Sequence, residues 1–288
     1  MDCVIPGPNI RLFTAAISSL SRVGKDLYLD FDPIQGLVLR TLNDAKSAYA
    51  CFRYEPLFFE KCTTKRASQD SLAGRLPLRA LAVVVPPRKQ VERLRILADD
   101  TQISFQFTLS TGTTIVHRLQ MAPAQSLSAK ASKDGASELQ GSPKLLRDFL
   151  QPLTRSPEGV LYLGPNRVAA SDYTPATVTQ PSLQTQLTLN VADLDEYEYV
   201  SSTTSGVVLV VPLKELRAVL HFAAQCDAYE DWKVGLFFHQ GGQPLLVETK
   251  GAPHFSAELV LATLDPGQVE GVTPPQQQAN ESPRVAVN

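Results

Sequence analysis

Apolar residues recur at helical spacing in four short stretches of the chain, and a proline opens each one. Ile10, Phe13, Ile17 and Leu20 follow Pro8, while Leu78, Leu81, Ala82 and Val85 follow Pro77. Leu145, Leu146, Phe149, Leu150 and Leu153 follow Pro143, and Leu213, Leu216, Leu220 and Ala223 follow Pro212. The four prolines stand 69, 66 and 69 residues apart, which marks an internal repeat. Proline suits the first turn of a helix, where its missing N–H would have no partner. Asn9 and Ser142 are the expected N-caps of the first and third helices, which cover 9–22 and 143–153; the others cover 77–89 and 212–226.

Strand patterns separated by turn signals follow every helix. They are DLYLDF, LVLRTL and SAYACF after the first, and ERLRILA, ISFQFTL and TIVHRLQ after the second. GVLYL, RVAASDY and QTQLTLNV follow the third; KVGLFF, PLLVETK and FSAELVLATL follow the fourth. Strict alternation in ISFQFTL and QTQLTLN predicts sheets covered on one face only. The fold class is therefore α+β, four helix-plus-antiparallel-strand units grouped as two plus two. The expected division is 1–121, a connector at 122–137 rich in Ala, Ser and Lys, a second domain at 138–265, and a disordered tail at 266–288. The polar stretch Thr63–Gly74 reads as a loop inside the first half.

Charge changes this picture in one respect. The whole chain is nearly neutral, with net charge -2, yet the helices are basic. The first carries Arg11 and Arg22 and the second Arg79, Arg88 and Lys89, with no acid in either. The third has Lys144 and Arg147 against Asp148, the fourth Lys214 and Arg217 against Glu215. These cations lie off the apolar stripes, so each helix buries one face and turns a basic face outward. Such a surface suits a phosphate backbone. Arg11, Arg22, Arg79, Lys144, Arg147, Lys214 and Arg217 are the candidate phosphate contacts.

No constellation for catalysis emerges. His117, His221, His239 and His254 stand singly, and the four cysteines show no metal-ligand spacing. The chain has no glycine-rich phosphate loop and no nucleophile elbow. Asp30/Asp32 and Asp193/Asp195 fit local hydrogen bonding in turns better than magnesium ligation. No enzyme activity, cofactor or metal is expected. The cysteines read as reduced thiols rather than a disulfide framework. The opening residues carry no secretory signal, and LAVVV and VVLVV are too short to span a bilayer. The expectation is a soluble intracellular protein without membrane contact.

The opening run NIRLFTAAISSLSRVGKDLYLDF, with GLVLRTLNDAKSAYACFRYEPLFF after it, resembles the Rad-nine subunit of the nine-one-one DNA-damage checkpoint clamp. VVPLKELRAVLHFA and HFSAELVLATL are similar to the closing units of that family. The resemblance implies the sliding-clamp fold of the proliferating cell nuclear antigen, with two similar domains, helices on the inner face and sheets outside. It implies a heterotrimeric ring with two other clamp subunits, placed on double-stranded DNA by a checkpoint clamp loader, without sequence preference. The ring would act in the nucleus and recruit repair and checkpoint proteins; a homotrimeric replication clamp is the alternative. It also implies a partner-peptide pocket under the connector, floored by Leu42, Ala45 and Tyr49. Ring closure is expected through TIVHRLQ and QTQLTLN, with Ile115, His117, Leu187 and Leu189 at the subunit interfaces.

Overall fold

The repeating prolines mark junctions at which a strand turns into a helix. In the computed structural model, which describes residues 1–63, 72–86, 90–154, 156–173, 185–200, 206–226 and 231–265, every helix follows directly on a strand. Strand β1 (Asp2–Pro6) leads into α1 (Gly7–Val23), and β6 (Leu72–Pro77) into α2 (Leu78–Val84). Likewise β10 (Ser137–Gly141) leads into α3 (Pro143–Leu150), and β15 (Val207–Pro212) into α4 (Leu213–Gln225). Pro77 and Pro212 are the N-cap residues of their helices, with φ near -70°. Pro143 takes the first helical position, and the Ser142 side chain accepts from the Leu145 N–H, the expected cap.

Some expectations need correction. Asn9 lies inside α1 and donates its side-chain N–H to the Phe58 carbonyl, while Pro6 holds the cap position. The second helix ends at Val84, well short of residue 89; Arg88 and Lys89 lie outside the described residues, as do 64–71 and the tail 266–288. Leu72–Gly74, read as loop, belong to β6.

The remaining strands match the predicted patterns, except for the three-residue edge strands at Lys61–Thr63 and Glu196–Glu198, which no pattern predicted. The first half adds β2 (Asp26–Asp32), β3 (Gly36–Leu42), β4 (Ala48–Tyr54), β5 (Lys61–Thr63), β7 (Val91–Ala98), β8 (Gln102–Leu109) and β9 (Thr114–Gln120). The second adds β11 (Glu158–Gly164), β12 (Arg167–Asp172), β13 (Gln186–Asn190), β14 (Glu196–Glu198), β16 (Lys233–Phe238), β17 (Leu245–Lys250) and β18 (Phe255–Leu261). The units of each half exchange their leading strands. β1 pairs with β7 of the second unit, and β6 pairs with β2 of the first. β10 pairs with β16, and β15 with β11, in the same way.

Among the described residues three sheets result, in the orders β5-β1-β7-β8-β9, β14-β10-β16-β17-β18-β4-β3-β2-β6 and β13-β12-β11-β15. The nine-stranded sheet crosses both halves, because β18 pairs antiparallel with β4 from Phe255↔Tyr54 to Leu261↔Ala48. A second seam joins the halves through helices α1 and α4, which run antiparallel. The Arg11 guanidinium donates to the Gln225 carbonyl at 2.8 Å, and Ser19 Oγ donates to the Ala218 carbonyl at 3.0 Å. Beneath these helices Phe255 meets Phe52, Tyr54, Phe58, Phe222 and Trp232 with ring centroids 5.0–6.4 Å apart. Helices thus cover one face of the sheets, with α1 between α2 and α4, and α4 between α1 and α3.

The connector crosses the other face of the central sheet. Ala122 bridges to Arg75 on β6, Ser126 Oγ donates to Asp30 on β2, and Leu127 packs on Tyr49 of β4. Lys133 then pairs with Glu248 on β17 at 2.5 Å, before β10 begins at Ser137.

Candidate nucleic-acid interface

The helix row brings cations from different repeats together. A cavity of about 660 Å³ opens between α1, α3 and α4, lined by Arg22, Arg147, Gln151, Lys214, Arg217 and His221 along with small residues, and, among the described residues, by no acid. A second cavity of about 320 Å³ continues it between α1, α2 and α4, lined by Arg22, Lys25, Arg79 and Lys214. Asp44 and Glu215 also line this second space. Glu215, the one acid of α4, is buried and accepts from the Asn43 amide at 3.2 Å, so the exposed surface of α4 is left cationic. Lys25 is held by Asp44 at 2.5 Å.

Five of the seven expected DNA contacts, Arg22, Arg79, Arg147, Lys214 and Arg217, therefore share one continuous cradle. Arg22, Arg79 and Lys214 are exposed. Arg147 is half-buried and bonds Asp148 at 2.7 Å. Arg217 is half-buried too; its Nε donates to the Leu150 carbonyl, and burial lowers its pKa. Arg11 sits apart at the far end of α1, where its donation to Gln225 caps the C-terminus of α4 and opposes the negative end of that helix dipole. Lys144 is exposed on α3 and does not line either cavity. His221, one of the histidines that stand singly in the sequence, sits within the cradle, 2.8 Å from the Gln225 amide. Burial, then Arg22 and Arg147, hold its pKa below the usual histidine value.

The acidic pairs do not gather. Asp30 pairs with Arg40, whereas the Asp32 carboxylate accepts from the Ile34 and Gln35 N–H groups in the β2–β3 turn. Asp193 lies in a short turn and Asp195 faces Lys233 at 3.9 Å. Among the described residues, no three His, Cys, Asp or Glu side chains could hold a metal ion. Nor is any described helix long and apolar enough to cross a membrane.

Tyr49 is buried under the connector with Val38 and Cys51, and Leu42, Leu127, Ala129 and Val260 pack around them. The Tyr49 hydroxyl reaches the Leu127 carbonyl at 3.5 Å. Ala45 is not part of this group: it is exposed in the β3–β4 turn and lines the smaller cavity on the helix side.

β9 and β13 are sheet edges. The Leu109 N–H donates to the Thr113 carbonyl and that of Met121 to Thr101, which fixes the hydrogen-bonded phase of β8 with β9. Ile115, His117 and Leu119 therefore spend their N–H groups on β8, and Thr114, Val116, Arg118 and Gln120 point theirs outward. By the same alternation, the Asp172 N–H bond to Thr185 assigns Leu187 and Leu189 to β12, leaving Gln186, Thr188 and Asn190 facing out. The side chains of Ile115 and Leu187 pack on the core, and that of Leu189 is buried in it. The edges thus offer backbone from the residues between those expected.

A sequence profile of the Rad9 family matches residues 13–264. The chain is 25% identical over 274 residues to the cell cycle checkpoint control protein Rad9 of Drosophila melanogaster, covering 93% of this chain and 58% of that protein. It thus spans a little over half the length of that relative. Among solved structures, it superposes on a chain of the PCNA2-PCNA3 complex from Sulfolobus tokodaii with a TM-score of 0.72 at 12% identity, covering 91% of this chain and 99% of that one. PCNA from Thermococcus kodakaraensis gives 0.71 at 11% identity with the same coverage. The exchanged strands, the paired halves and the helix row are those of the sliding-clamp fold, and the chain belongs to the Rad9 family.

Proposed function

We propose that this chain is one subunit of a heterotrimeric checkpoint clamp that encircles double-stranded DNA in the nucleus and recruits checkpoint signalling and repair proteins. The observation that carries the reading is the cradle between α1, α3 and α4, cationic and, among the described residues, free of acid across its larger cavity. Contacts of this kind meet phosphates and read no bases, so binding is independent of sequence. The role is that of a scaffold, without catalysis, cofactor or metal. The seven cations Arg11, Arg22, Arg79, Lys144, Arg147, Lys214 and Arg217 face the duplex, with the cradle five in closest contact.

Two further clamp subunits dock through the β9 and β13 edges, and a checkpoint clamp loader opens the ring. Val116 and Thr188 supply outward N–H groups at the two junctions, as main-chain pairing between subunits requires. Partner peptides dock beside the connector on Leu42, which borders the buried Tyr49. Each half, 1–121 and 138–265, acts as one clamp domain, joined by 122–137.

The test is the oligomeric state of the isolated chain. A heterotrimer subunit stays monomeric on size exclusion and enters a trimer only with the other two subunits. A stable trimer of this chain alone would replace the reading with that of a homotrimeric replication clamp.

A further inference from the structure

Cys3 and Cys62 stand directly opposite each other in the antiparallel β1–β5 pair. Their sulfurs are 2.6 Å apart. Opposed residues in such a pair hold their Cα atoms about 4.5 or about 5.5 Å apart, within the span of about 4.4–6.8 Å that a disulfide bridges. The backbone therefore already has the separation a bridge needs. Cys3 is fully buried and Cys62 half-buried, so only Cys62 is open to a small oxidant. Cys51 and Cys226 are buried on other elements, with the Cys226 thiol pushed up to about 12 by burial. Nothing in the DNA or assembly surfaces uses the Cys3–Cys62 pair.

We propose that Cys3 and Cys62 form a peroxide-sensitive dithiol that closes reversibly to a disulfide, stapling β5 onto β1. The contact between the two sulfurs lowers the Cys62 pKa and raises that of Cys3, which makes the accessible sulfur the more readily ionised of the two. A hydroperoxide supplies the oxidising equivalents. The Cys62 thiolate attacks one peroxide oxygen, the O–O bond breaks, and Cys62 becomes a sulfenic acid as hydroxide or alkoxide leaves. Cys3 sulfur then attacks the sulfenic sulfur; the S–S bond forms, the S–O bond breaks, and the departing hydroxide takes the Cys3 proton as water.

The bridge has a defined mechanical effect. β5 is three residues long and, among the described residues, pairs with β1 alone at the edge of its sheet. β1 runs directly into α1, the helix at the centre of the cradle. Oxidation would close a loop around α1 and β2–β4 and fix the sheet edge farthest from β9.

The experiment uses the full chain, reduced and then treated with stoichiometric hydrogen peroxide. The expected result is a Cys3–Cys62 cross-linked peptide under non-reducing conditions, with Cys51 and Cys226 still titrating as free thiols. The melting temperature rises by several degrees, and dithiothreitol reverses the rise. Cys62→Ser, at the half-buried position, keeps the fold and shows neither cross-link nor rise. Over-oxidation of Cys62 without a cross-link would overturn the proposal. So would bridges to Cys51 or Cys226, or a cross-link that leaves the melting temperature unchanged or lower.

Discussion

Replacing Arg22 and Lys214 together by glutamine tests the cradle where it is best defined. Both side chains are exposed, and both line the two adjoining cavities. Neither is among the buried residues of its helix, so the double variant should melt within about 1 °C of the parent, as exposed substitutions do. The cradle holds five cations, of which Arg147 is tied to Asp148 and Arg217 to the Leu150 carbonyl. Three to five phosphates are then neutralised, and each contributes about -0.9 to the slope of log affinity against log salt, for a total of roughly -2.7 to -4.5. Removing two contacts should make the slope shallower by about 1.8. Between about 50 and about 200 mM salt, the variant should lose roughly 12-fold less affinity than the parent does. The assay is fluorescence anisotropy of a labelled duplex titrated with the assembled ring across a salt series. A slope equal to the parent's, with weaker or unchanged binding, would refute the assignment of these residues to phosphates.

Three further outcomes follow from the same geometry. Phe255→Ala empties the aromatic cluster at the β4–β18 seam; a buried phenylalanine truncated in this way costs about 3–5 kcal/mol, so thermal denaturation should show a fall of roughly 6–20 °C, and a shift of under about 2 °C would deny the seam its role. Val116→Pro and Thr188→Pro each remove an outward N–H and spare the ladder within the sheet, so both should melt normally yet fail to co-assemble on size exclusion, whereas Ile115→Pro should damage the fold itself; intact assembly of both edge variants would reject edge pairing. His221 is held below its ordinary value of 6.5 by burial and by Arg22 and Arg147; a phosphate in the cradle raises that pKa, so duplex affinity should strengthen as pH falls below 6.5 and stay flat well above it, an effect absent in His221→Asn. In the free chain the sign is opposite: the lowered folded pKa gives stability that is present above 6.5 and lost as pH falls through the folded value.

The helix faces and most strands were legible because their periodicity is local. Ile10, Phe13 and Ile17 repeat at helical spacing, and ISFQFTL alternates with one face buried, as β8 does. The leading strands were not assigned. DCVIP is buried along almost its whole length and VVLVV at all but one position, so neither alternates, and their partners β7 and β11 lie in the other unit of the same half. The cations of the cradle could be named from the helix charge, but not grouped. Only the antiparallel packing of α1 on α4 sets Arg22 beside Lys214 and His221, and leaves Arg11 at the other end. The expectation of Ile115 and Leu187 at the interface could not tell which N–H groups each strand spends inside its own sheet, because a strand's two sets of N–H groups look alike in sequence. The Cys3–Cys62 pair was invisible for a related reason: fifty-nine positions separate them in the chain and one ladder rung in the sheet.

The central claim is that the assembled ring holds DNA by enclosing it. The direct measurement is retention of the loaded trimer on nicked circular DNA at high salt, before and after one restriction cut. Salt screens the cradle contacts, so a topological link is all that should persist on the circle. The account predicts that the ring stays on the circle and is released on linearisation, by sliding off the ends. Equal retention on circular and linear DNA, or loss from both at the same salt concentration, would contradict it.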